Sequence, residues 1–155
     1  MHGTIFQLEE KPLRFEEDFA CEEDFYDDFV KVIADYVNED IDRDAEIRYF
    51  VEYLKKYKEI MYDPQEYSII FPKGFREEYF SERFFNLKKF VQELTLEEFS
   101  TDSTKVWILK NLINEKYGIY IYSRQSSWIT FDEFVRCNLK EGQKYYIGTV
   151  LDYHF

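Results

Sequence analysis

Small or polar residues alternate with apolar ones from Gly3 to Leu8 (GTIFQL), the two-residue period of a strand, and Glu9 to Pro12 breaks the pattern. From Phe25 the period changes: Phe25, Phe29, Val32, Ile33, Tyr36 and Val37 recur at helical spacing and predict a helix over residues 24–38, with Asp24 as its N-cap. The polar run NEDIDRDAEI resets the chain. A second helix follows with Ile47, Phe50, Val51, Leu54 and Met61 on one face and Lys55, Lys56 and Lys58 on another, ended by Asp63-Pro64. Glu66 to Phe71 (EYSIIF) reads as a buried strand closed by Pro72 and Gly74.

A third helix is predicted from Arg76, or from a break near Ser81, to Leu94, with Phe80, Phe84, Leu87, Val91 and Leu94 as its inward stripe; core packing explains this stripe better than a ligand box. The next helix starts at a capping residue, Asp102 or Ser103, and stops at Gly118, with Val106, Leu109, Leu112, Ile113 and Tyr117 facing inward. Ile119 to Tyr122 alternates as a strand, with Ile119 and Ile121 on one side and Tyr120 and Tyr122 on the other. Ser127 to Thr130 pairs back onto it, a short helix covers Asp132 to Leu139, and Glu141-Gly142 turns into a last strand from Lys144 to Tyr153. Gly148 at the centre of that strand marks a bulge or a close approach.

These elements predict one α+β domain over residues 1–155: a mostly antiparallel sheet of four to five strands carrying four to five helices chiefly on one face. The strands at the two ends of the chain are candidates to pair with each other. A core of this size needs neither partner nor disulfide. Cys21 and Cys137 form no CxxC and have no zinc-ligand spacing, so both are read as reduced thiols. No stretch of about 18 apolar residues occurs, and no basic segment followed by an apolar run opens the chain; the expectation is a cytoplasmic protein without a membrane segment.

Charge changes the picture more. The net charge of −12 lies wholly in residues 1–46, which hold 16 acidic and four basic residues; residues 47–155 hold 16 of each. An acidic third of this kind argues against direct binding of nucleic acid or anionic membrane and points to a basic protein as the charged partner.

Candidate chemistry is sparse. His2 and His154 lie beside the two ends, with no Ser, Cys or Asp at a catalytic spacing; if the terminal strands pair, their rings come close enough to share a metal or a proton. The glycines form no phosphate-cradling motif. Asn38, Asp40, Asp42, Asp44 and Glu46 alternate as in a calcium loop, but Arg43 stands where that loop needs Gly and Tyr49 where it needs Glu; Asp42 or Asp44 as a helix cap is the simpler reading. Tyr120, Tyr122, Arg124 and Trp128 would make a stacking platform if exposed, and ordinary core if a helix covers that face. The sequence singles out no catalytic residue, no metal ligand and no cofactor.

What stands out is FEEDFACEEDFYDDF, residues 15–29, with eight carboxylates, four Phe and no basic residue. Phe25 and Phe29 belong to the predicted helix. Phe15, Glu16, Glu17, Asp18, Phe19, Glu22, Glu23 and Asp24 are left as a solvated face or as a docking face in which rings supply area and carboxylates steer the encounter. The expected function is therefore a non-enzymatic acidic binding domain for a basic protein, of inhibitor, immunity or nucleic-acid-mimic type. The alternative is an acid–base or metal-assisted enzyme using cleft carboxylates. In composition alone the chain resembles small acidic antirestriction, anti-CRISPR and toxin-immunity proteins, of bacterial or phage type; no motif assigns it to them.

Overall fold

The first and last strands pair, as their positions at the two ends of the chain suggest. In a computed structural model that describes residues 1–113 and 116–155, β1 (His2–Glu9) runs antiparallel to β7 (Lys144–His154), with His2 opposite His154. On its other edge β1 takes β5 (Ile119–Ser123) in parallel, and β5 takes β6 (Ser127–Thr130) as a hairpin. The far edge of β7 is shared. β4 (Ser68–Ile70) pairs with its first half and β2 (Tyr36–Asn38) with its last three residues, while β3 (Met61–Asp63) forms a hairpin with β4. Between these two short strands the Arg43 side chain stands in for a strand, donating to the carbonyls of Gly148 (2.8 Å) and Ile147 (2.9 Å). The result is a mixed sheet of seven strands in the order β3-β4-β7-β1-β5-β6, with β2 also on β7.

Six helices accompany it among the described residues: α1 (Phe29–Val32), α2 (Arg43–Lys55), α3 (Phe75–Glu93), α4 (Leu96–Thr101), α5 (Ser103–Ile113) and α6 (Phe131–Glu133). The last continues into a π turn, Phe134–Asn138. The class is α+β, with more strands than expected and one parallel pair. Because strand side chains alternate between faces, the sheet has two cores. On one face Phe6, Leu8, Ile69, Ile121, Tyr145, Ile147 and Val150 meet Ile47, Phe50, Val51 and Leu54 of α2, Phe75 and Tyr79 of α3, and Phe131, Phe134 and Val135. On the other, Ile5, Tyr120, Tyr122, Leu151 and Tyr153 meet Phe25, Phe29, Ala34 and Val37. α2 and the start of α3 thus pack on one face, and the acidic N-terminal segment covers the other.

The bulge expected at Gly148 is present. Phe6 faces Val150 but Leu8 faces Ile147, so Gly148 and Thr149 together oppose Gln7. A Cβ on Gly148 would sit 2.4 Å from Gln7 Oε1, so any side chain here would have to displace the Gln7 amide.

Four expectations are corrected. The helix predicted over 24–38 is a 3-10 turn at Glu22–Phe25, the single turn α1 and the strand β2. Asp28, not Asp24, caps α1, and Val37 is drawn into the sheet by the open edge of β7. The second helix stops at Lys55. Asp63-Pro64 is the turn of the β3–β4 hairpin, and Met61, placed on the inward helix face, is exposed on β3. The inward stripe of α3 is displaced: Phe75 and Tyr79 are buried and Phe84 and Val91 are exposed. A short helix, α4, occupies Leu96–Thr101, where the sequence pattern predicts no element, and α5 is described over Ser103–Ile113, with Val106, Ile113 and Tyr117 exposed instead of inward; the predicted continuation through residues 114 and 115 lies outside the described residues, and residues 116–118 are not helical.

Candidate acidic docking face

The two EEDF runs, Glu16–Phe19 and Glu22–Phe25, fold into the same local structure. In each, a one-turn 3-10 helix forms and the Asp reaches back to the backbone three residues earlier. Asp18 Oδ2 accepts from Phe15 N (3.0 Å) and from Arg14 N (2.8 Å), and Asp24 Oδ2 accepts from Cys21 N (3.0 Å). Short acidic side chains suit this role because they satisfy the donors that a helix start leaves unpaired. The backbone N–H groups of Arg14 and Phe15 hold the Asp18 carboxyl below its ordinary pKa. The repeated EEDF is therefore a repeated turn.

Two residues outside the segment fix it to the sheet. Gln7, buried on β1, accepts through Oε1 from Ala20 N (2.8 Å) and Thr149 N (3.2 Å), and its amide donates to the Asp18 carbonyl (2.8 Å). Arg124, in the β5–β6 turn, donates to Asp24 Oδ1 (3.0 Å) and to the carbonyls of Phe19 (2.8 Å) and Glu17 (3.2 Å). Phe25 then inserts beside Tyr122, and Phe29 packs edge-on to Tyr120, Trp128 and Tyr153 at 5.0 to 5.2 Å. The tyrosine platform is thus core: Tyr120 and Tyr122 are buried under this segment, and Trp128 Nε1 donates to Asp28 (2.9 Å).

Of the eight residues singled out from the sequence, the structure divides five from three. Asp18 and Asp24 hold turns, and Glu22 is half-buried, with its side chain bonded to the Tyr26 hydroxyl, whose pKa it raises. Phe15, Glu16, Glu17, Phe19 and Glu23 face solvent. Among the described residues no Lys or Arg lies within ion-pairing distance of Glu16, Glu17 or Glu23.

The terminal histidines meet. Their ring centroids lie 5.1 Å apart, His2 Nδ1 is 2.8 Å from Asp152 Oδ2, and His154 Nδ1 is 3.1 Å from Asp35 Oδ2. Carboxylates behind Nδ1 are the usual backing of metal-binding imidazoles, but two donors do not make a closed site. No group of three or more His, Cys, Asp or Glu placed to hold a metal occurs among the described residues. The calcium-like run is also dispersed: Asn38 Oδ1 accepts from Asp40 N, Asp42 caps α2 through Ala45 N, and Glu46 turns toward Thr4. Both cysteines are thiols.

Sequence reasoning missed one polar cluster. A cleft of about 260 Å³ lies between α2, α3 and the β5–β6 hairpin, lined by Tyr49, Tyr53, Tyr79, Tyr117 and Asp132. Buried Asp132 accepts from Tyr79 Oη (2.7 Å) and bidentately from Arg83 (2.6 and 2.8 Å). Burial pushes the Tyr79 phenol far above its ordinary pKa. No spacing in the sequence links residues 49 positions apart, so only the fold reveals the pair. Three bonds to one carboxylate make it a neutralised strut between α3 and α6.

No family model, curated protein or solved structure matches the chain. No helix among the described residues is long and apolar enough to cross a membrane.

Proposed function

We propose that the protein is a non-enzymatic binding protein whose acidic N-terminal face docks a basic protein, as an inhibitor, an immunity factor or a nucleic-acid mimic does. The observation that carries this reading is the pairing of fixed backbone with unneutralised charge at residues 15–24. Gln7, Arg124 and the two Asp-locked turns hold the segment, while Glu16, Glu17 and Glu23 point outward beside the exposed rings of Phe15 and Phe19. A merely solubilising run needs no such anchors. Held carboxylates and rings lose little entropy on docking, and their field accelerates encounter with a cationic surface. Among the described residues the displaced carboxyls, Glu10, Asp18, Glu98 and Glu141, are all displaced downward by hydrogen bonds, and Asp18, the one in this face, is thereby held charged.

The test compares two baits at physiological salt in lysate of the source organism: the native chain and a Glu16→Gln, Glu17→Gln, Glu23→Gln variant that keeps Asp18 and Asp24 and hence the turns. A basic protein captured by the first, lost by the second and released by raised salt is the expected result. Release of that protein by competing duplex DNA marks the nucleic-acid-mimic form. Identical capture by both baits, or none by either, removes the docking reading.

A further inference from the structure

Beyond the sheet, α3, α4 and α5 form a helical arm whose apolar surface is incompletely covered. α5 runs back along α3: the Lys105 amine at its start lies 5.6 Å from the Phe90 ring late in α3, and Tyr117 shares a cleft with Tyr79 near the start of α3. The seam between them is half-buried and includes Leu87, Phe90, Leu94, Ile108 and Leu112. Outside the seam, Phe84, Val91, Leu96, Phe99, Val106 and Ile113 are 38% to 82% exposed.

Phe85 and Trp107, each 62% exposed, lie about 100° further round their helices, but these six positions are not scattered. Residues seven apart return to the same side of a helix, so Phe84 and Val91 make one stripe on α3, and Val106 and Ile113 one on α5. The stripe lies about 80° from the seam on α3 and about 130° from it on α5, in the same rotational sense along each helix. For two antiparallel right-handed helices, equal sense places both stripes on one side of the hairpin, and Leu96 and Phe99 add exposed apolar area at its tip. A fully exposed aromatic side chain presents about 150–250 Å². Scaled by their exposures, the six residues present on the order of 600 Å² per chain, above the few hundred Å² that isolated monomers normally leave open.

We propose that this face binds a second copy of the same chain, the two arms lying antiparallel about a twofold axis as a four-helix arrangement. Two observations select this occupant. A symmetric pair would bury roughly 1,200 Å², the lower bound for a specific, stable interface. The arm is also neutral in a chain of net charge −12: residues 84–113 hold four Lys and four acidic residues, so a cationic partner is drawn to the N-terminal third instead. Its charges are unevenly placed. Glu93, Glu97, Glu98 and Asp102 crowd the tip, where only Lys105 offsets them, 3.7 Å from Glu98, while Lys88, Lys89 and Lys110 lie on the shank. An antiparallel pair sets each tip against the other shank, whereas a parallel pair would oppose like charges. The proposal is independent of the acidic docking face, and every substitution below lies outside residues 1–46.

Sedimentation equilibrium of the full chain across a micromolar to sub-millimolar range tests it. The expected mass rises from 19.1 kDa toward twice that value. A Phe84→Glu, Ile113→Glu variant, whose circular dichroism should be unchanged because both sites are exposed, is expected to raise the dissociation constant about tenfold or more. A Lys88→Glu, Lys89→Glu chain and a Glu93→Lys, Glu97→Lys chain should each self-associate more weakly alone and recover affinity when mixed. A mass of 19.1 kDa throughout, or a dimer that the stripe variant leaves intact, overturns the proposal, and failure of the mixed chains to recover overturns the antiparallel arrangement.

Discussion

Replacing Gln7 by Leu isolates what holds the acidic segment in place. The side chain is 1% exposed, and its amide serves three backbone groups in two other parts of the molecule: Ala20 N, the Asp18 carbonyl and Thr149 N. Leucine is close in size and leaves the β1–β7 pairing intact, so the substitution removes hydrogen bonds without opening a large cavity. A buried donor left without a partner costs about 1–3 kcal/mol, and both donors to Oε1 lose theirs. The Asp18 carbonyl lies nearer solvent and adds little. Against this, the extra apolar burial of Leu returns on the order of 1 kcal/mol. The net expectation is about 2–3 kcal/mol of lost stability. With a urea dependence of roughly 1–3 kcal/mol per molar, the unfolding midpoint should fall by about 1 M. Equilibrium urea unfolding by circular dichroism measures the fall, and amide hydrogen exchange locates it: the Ala20 and Thr149 amides should lose protection before the centre of β1 does. A midpoint shift under about 0.3 M, or unchanged protection at Ala20, would refute the reasoning that Gln7 anchors the segment.

Other perturbations follow the same logic. Gly148→Ala places a methyl 2.4 Å from Gln7 Oε1 and 2.9 Å from Leu13 Cδ2, so it should destabilise by about 1–3 kcal/mol in thermal or urea unfolding; a neutral result would show that the bulge is not held by this contact. Asp132→Asn weakens the bidentate bonds from Arg83 and should cost about 2–3 kcal/mol, read as a lower urea midpoint, with no loss expected if the strut between α3 and α6 is dispensable. The Glu141 carboxylate accepts from the backbone N–H groups of Arg76 (2.8 Å) and Gly74 (2.9 Å), which lower its folded pKa. Its contribution is therefore fully present above the unfolded-state pKa, about 4.3, and is lost as pH falls through the lower folded value. The stability gap between the native chain and a Glu141→Gln variant should be constant above about pH 5 and narrow below it; a gap that widens in acid contradicts this sign.

The centre of the sheet was legible because its signal is local. β5 alternates with a period of two, which correctly sent Ile121 to one core and Tyr120 and Tyr122 to the other, while β1 and β7, buried on both faces, were legible as apolar runs bounded by turn residues. Gly148 was legible because a glycine inside a strand pattern has few structural uses. The N-terminal segment was not. Phe25 and Phe29, four apart, reach one core whether the chain coils continuously or makes two separate turns, so periodicity does not distinguish the cases. Aspartates that bind nearby backbone donors favour the turns. On α3, aromatic residues occupy several faces, so more than one apolar stripe can be drawn. The half-buried positions include Arg83 and Phe90, one residue off the predicted Phe84 and Val91, and the partner that recruits Arg83 inward is a carboxylate far along the chain. α4 did carry a readable start, since Thr95 to Glu98 is a capping box.

The acidic stretch was legible as composition but not as a site, and the difference lies in rigidity. Eight carboxylates in 15 residues repel one another, and in a flexible segment they would separate and solvate. Here the chain spends two of them, Asp18 and Asp24, on closing turns, and uses a buried amide and a surface guanidinium to hold the backbone against that repulsion. Phe25 and Phe29 close the opposite core, so the segment is also structural, and this role alone accounts for its inward half. It does not account for Glu16, Glu17 and Glu23, which contribute no cap and no ion pair among the described residues. Nor does it account for two rings, Phe15 and Phe19, turned to solvent beside them. Solvent-facing positions on a rigid turn accept nearly any polar residue at a cost within about 0.5 kcal/mol. Like charges at three of them, with rings between, are the feature on which the proposed docking rests: a cationic partner bound there would relieve their repulsion.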